Sequence, residues 1–175
     1  MKYSKKSEYL SEYKLDENGK YVYKGKYYSI NDSVENIKNI YIIVWVLNIL
    51  IACATIGSGC INAAGMNNSF YVIIPYIAEI AALFAYSINS IGLFSQGYKV
   101  KEYIYKKKFF KLSPAAIGIA ISSAIGLICS LIFVVSNGFQ NQAFECVLYL
   151  ALKILVFCFA FYTSRFVSRI KWMEI

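Results

Sequence analysis

Histidine is absent from the 175 residues, which removes the commonest general base and the commonest metal ligand. Charged residues are few, at 16% of the chain, against about 25% in an ordinary soluble domain. The five cysteines, Cys53, Cys60, Cys129, Cys146 and Cys158, include no C-x-x-C pair, so the sequence gives no support to zinc or thiol-exchange chemistry. No Gly-rich phosphate loop, paired-carboxylate site or Ser/His/Asp set occurs. These gaps point away from an enzyme, a cofactor or a bound metal. Residues 1–36 also lack the apolar core of a cleavable signal peptide, so the first apolar run is expected to direct insertion.

Apolar residue types are abundant, at 58% with a mean hydropathy of +0.50. They gather in four runs, at about 37–56, 70–94, 114–135 and 143–166. A helix needs roughly 20 such residues to cross a bilayer, and a helix bonds all its backbone groups within the segment. The expected fold class is an all-α integral membrane protein with four transmembrane helices. A polar segment, 1–36, precedes the four-helix domain, 37–175.

The net charge of +8 is distributed in a pattern. Eight lysines (Lys2, Lys5, Lys6, Lys14, Lys20, Lys24, Lys26 and Lys38) precede or edge the first run. Lys99, Lys101, Lys106, Lys107, Lys108 and Lys111 lie between the second and third, and Arg165, Arg169 and Lys171 close the fourth. The connections 57–69 and 136–142 carry no charge. Basic residues favour the cytoplasmic side, so both termini and the middle loop are expected inside, in a plasma membrane. Topology accounts for the charge, so nucleic acid is not an expected partner. Tyr41, Tyr71 and Trp172 fall where aromatic anchors are enriched.

Asn18-Gly19, flanked by Tyr13, Leu15, Tyr21 and Tyr23, is a hairpin signal. Lys24-Gly25 predicts a second turn and a possible third strand over Lys26, Tyr27 and Tyr28. The alternative is an unstructured tail. Asp32 and Glu35 have the spacing of a capping box for the first helix.

Polar groups inside apolar runs are the candidate functional residues. Glu79 and Lys153 each lie about 14–15 Å below the outer surface, at ~1.5 Å per helical residue. A lone charge at that depth costs at least about 2.5–3.5 kcal/mol, so an ion pair across touching helices two and four is expected. Glu145 is expected at the outer mouth of the fourth span, close enough to the headgroups to be solvated. Asn48 and Asn89 are amides suited to interhelical hydrogen bonds. Pro75 predicts a kink above Glu79. Gly118, Ser122, Gly126 and Ser130 form a small-residue stripe for close helix packing, against this chain or another copy. Lys106, Lys107, Lys108 and Lys111 suit anionic lipid headgroups. Cys60 and Cys146 fall near the outer face, where an oxidising compartment would allow a disulfide; the alternative is that they serve as small buried apolar residues.

The expected role is a non-enzymatic membrane component: an accessory or regulatory subunit, or a homo-oligomer, with lipids and other membrane proteins as partners. The alternative is a small ion- or proton-coupled transporter or channel that uses Glu79 and Lys153.

Overall fold

The computed structural model describes residues 13–15, 20–61, 63–94 and 97–175. Four long helices dominate it: α1, Val34–Cys60; α2, Phe70–Phe94; α4, Leu112–Asn137; and α5, Ala143–Ser168. Each is long and apolar enough to cross a membrane. A short helix α3, Glu102–Lys108, and a 3-10 turn, Phe109–Lys111, lead into α4. Helix α2 continues through Pro75.

The helices form a closed ring. α1 packs on α2 and α5, and α4 packs on the same two. Hence α2 and α5 face each other across the bundle axis, with their backbones farther apart than those of adjacent helices. Large apolar side chains cover the outside, among them Ile74, Phe84, Ile88, Ile121, Ile125 and Phe144. Polar side chains sit inside: Asn48, Thr55, Ser58, Glu79, Ser90, Ser123, Ser130 and Lys153. A water-soluble bundle has the reverse arrangement, so this exterior suits hydrocarbon.

The first helix starts one residue later than the expected capping box. Ser33 is the N-cap, and its Oγ accepts from the backbone N–H of Asn36. Asp32 lies outside the helix and accepts from the Ser33 N–H at 2.8 Å and the Asn36 amide at 2.7 Å. Asn36, not Glu35, therefore occupies the third helical position. Asp32 keeps a useful role, since its two donors hold its carboxyl below the ordinary 3.8.

Strands β1, Tyr13–Leu15, and β2, Tyr21–Tyr23, pair antiparallel with Tyr13 opposite Tyr23. The expected Asn18-Gly19 turn lies outside the described residues. The third strand does not extend this hairpin. Instead β3, Tyr27–Ile30, is the centre of a separate sheet, between β4, Val100–Lys101, and β5, Trp172–Glu174. Three polar segments far apart in sequence thus meet at one end of the bundle. Trp172 stacks on Phe109 at 5.2 Å, and Lys26 pairs with Glu174 at 2.7 Å. The hairpin docks on this sheet through Lys101. Its Nζ donates to the Tyr13 hydroxyl at 3.1 Å and lies over the Tyr13 and Tyr23 rings.

Candidate functional site

Glu79 enters the bundle from the middle of α2, and Lys153 from the middle of α5. Lys153 Nζ lies 2.9 Å from Glu79 Oε2, and both side chains are fully buried. Because α2 and α5 are diagonal, the two long side chains meet over the bundle axis and tie all four helices to one point. The expected contact between neighbouring helices is thus replaced by one through the centre.

Two tyrosines complete the cation's surroundings. Lys153 Nζ sits 4.6 Å from the Tyr76 ring centroid and 5.6 Å from that of Tyr149. An aromatic face attracts a cation most strongly where water is absent. Tyr76 precedes Glu79 by three residues and Tyr149 precedes Lys153 by four, so each lies on the same helix face as its charged neighbour. That spacing was readable in the sequence, although burial alone would also explain the aromatics. The Tyr76 hydroxyl donates to the Thr55 carbonyl at 3.4 Å, bringing α1 into the site. Gly59 makes this possible: a Cβ there would strike the Tyr76 ring and hydroxyl. α4 contributes Ser123, whose Oγ donates to the Lys153 carbonyl at 2.9 Å.

Glu79 uses only one oxygen in the ion pair. Its Oε1 is buried with no hydrogen-bond partner among the described residues, as is Thr55 Oγ1. Apolar clusters close the site at both ends. Toward the sheet lie Ile51, Leu83, Tyr86, Ile119 and Val156. At the opposite end Ala63, Ala64, Met66, Val72, Phe133 and Cys146 pack around Tyr149. The segment that carries Ala63 and Ala64 is pinned by Gln142, whose side-chain oxygen accepts from the Ala64 N–H.

Comparison with protein-family models, curated proteins and solved structures finds no match.

The other sequence-derived candidates separate into distinct places. Asn48 accepts from Ser87 Oγ at 3.0 Å and donates to Ser90 Oγ at 3.3 Å, which joins α1 to α2 nearer the sheet. Asn89 stays apart: it is half-buried, and its amide donates to the Ala85 carbonyl of its own helix. Glu145 is exposed in the first turn of α5. The small-residue stripe of α4 is used within the chain. A Cβ on Gly118 would lie 3.6 Å from Ala82 Cβ, and one on Gly126 would lie 3.9 Å from Pro75 Cβ. Ser122 is half-buried, and Ser130 is buried and bonds back to the Gly126 carbonyl. Lys106, Lys107 and Lys111 are exposed, whereas Lys108 is half-buried beside Gly92. Cys60 and Cys146 are free thiols.

Proposed function

We propose that the chain is a non-enzymatic membrane component, a subunit of a larger assembly or of a homo-oligomer, whose bundle anchors a tyrosine-rich cap on the cytoplasmic face. The observation that carries this reading is the β4-β3-β5 sheet, which gathers the segments before α1, between α2 and α4 and after α5 into one folded platform. Those segments hold the basic residues that favour the cytoplasmic side. The ion pair, closed off by apolar clusters at both ends, acts as a register lock for the helices. In the same reading α3 lies along the headgroups, with Ile104 and Phe109 buried and Lys106, Lys107 and Lys111 turned toward anionic lipid.

The partner surface is the docked hairpin, where Tyr21 is 70% exposed. In-cell cross-linking followed by mild-detergent purification tests this. The wild-type chain is expected to bring down a partner protein or a second copy, and Tyr21→Asp to lose it while staying in the membrane fraction. A wild-type chain recovered only as a lone monomer would sink the proposal.

One observation favours a second reading, proton- or ion-coupled transport: Glu79 Oε1 is buried with no hydrogen-bond partner among the described residues, which leaves an acceptor site for a transported cation or proton. Flux in reconstituted vesicles that disappears in Glu79→Gln is the expected result there. No flux above empty vesicles rejects it.

A further inference from the structure

A groove of 560 Å³ runs along the outer face of the bundle between α4 and α5. Its wall is apolar for most of its length and polar at one end. Ile117, Ile121, Ile125 and Ile128 line the α4 side and are 46–58% exposed. Their spacing repeats along one helix face over about 16 Å, at ~1.5 Å per residue. That is close to half the ~30 Å hydrocarbon thickness of a bilayer, the depth of one leaflet.

The polar end lies toward the sheet. Ser113 and Ser164 bring their hydroxyl oxygens to 3.3 Å from each other, and Ser168 and Arg165 complete the rim. The Arg165 guanidinium lies 5.3 Å from the centroid of the Phe161 ring, over the α5 wall of the groove. Among the described residues it has no carboxylate within ion-pair distance. A guanidinium matches phosphate oxygens with paired donors, and the hydroxyls beside it can donate to the same group.

We propose that this groove holds one anionic phospholipid of the sheet-side leaflet. Its acyl chain lies along the isoleucines, and its phosphate sits at Arg165 with the serine hydroxyls. This rests on the reading that the bundle spans a membrane. It differs from the general headgroup contact of Lys106, Lys107 and Lys111, because a built groove retains a lipid that a diffuse surface exchanges.

The test is native mass spectrometry of the full chain, purified in mild detergent from vesicles of mixed phosphatidylglycerol and phosphatidylcholine. Wild type is expected to keep one phosphatidylglycerol in preference to phosphatidylcholine. Arg165→Gln is expected to lower that retention roughly fivefold, the effect of about one basic contact at a lipid surface. Ala124→Phe, which fills the groove, should lower it as well, and Lys107→Gln should not. Arg165→Gln alters only an exposed side chain, so it keeps the test decisive if Ala124→Phe misfolds. Equal retention of the two lipids, equal retention by Arg165→Gln and wild type, or a loss in Lys107→Gln matching that in Arg165→Gln overturns the proposal. So does a dimer that cross-links through Ile125→Cys, which would put a second copy in the groove. A chain that washes off membranes with carbonate fails the membrane reading itself; one that stays in the membrane but carries no lipid fails only this inference.

Discussion

At the scale of single residues, the central question is what Glu79 and Lys153 contribute. Removing one partner leaves the other buried and unpaired, which typically costs about 3–5 kcal/mol. Lys153→Met is therefore expected to destabilise the detergent-solubilised protein by that amount in an unfolding titration. Glu79→Leu combined with Lys153→Met is expected to recover most of it, because an apolar pair can fill the same space. A double variant as unstable as the single one would assign the loss to packing and not to the lone charge. Asn48→Leu should cost less, about 0.6 kcal/mol and at most about 1.7, the measured range for hydrogen bonds inside membranes. Asn89→Leu should be neutral, since that amide bonds only its own helix. The position of Glu79, Lys153 and Asn48 near the middle of their helices could be counted from the sequence. The difference between Asn48 and Asn89 could not: it depends on helix rotation, which only the packing of α1 on α2 fixes.

At the scale of elements, the four long helices were legible because an apolar run of twenty or more residues admits few other solutions. Their ends were less so. α1 begins at Val34 and ends at Cys60, several residues beyond the apolar run on each side, because caps and water-facing turns extend a helix without being apolar. The α4 stripe was visible as small residues at every fourth position, but its partner was not. The geometry assigns α2, through Ala82 and Pro75. Gly126→Leu is accordingly expected to force α2 and α4 apart, at about 1–3 kcal/mol for overpacking. Ile125→Leu, one position away on the exposed face, should stay within about 0.5 kcal/mol of wild type. Equal effects in the same unfolding titration would show that Gly126 faces open space.

At the scale of the whole molecule, the cap was the least legible feature. Its strands are two to four residues long, and β3 takes partners that follow it by dozens of residues or more, so no local pattern announces the pairing. Its electrostatics give a pH signature. Glu174 raises the Lys26 pKa above the usual 10.5 by accepting its hydrogen bond and by its charge, and Tyr13 raises that of Lys101 by hydrogen bonding. A raised lysine pKa contributes stability that is complete below 10.5 and disappears as pH climbs through the folded value. Trp172 emission should therefore be flat from neutral pH up to about 10 and shift above that, as β5 loosens. A shift already complete by pH 9 would assign the change to other groups.

The position of β3 at the middle of its sheet bears on how the chain is made. It leaves the ribosome before any long helix, yet β5 follows more than a hundred residues later. At about 5–20 residues per second, β3 waits on the order of ten seconds with an open edge while the four long helices are made. Only a chain that has brought both later strands to the same end of the bundle can complete the sheet. The platform therefore depends on the whole bundle: its three strands meet only when the helices between them bring both later segments back to the same end.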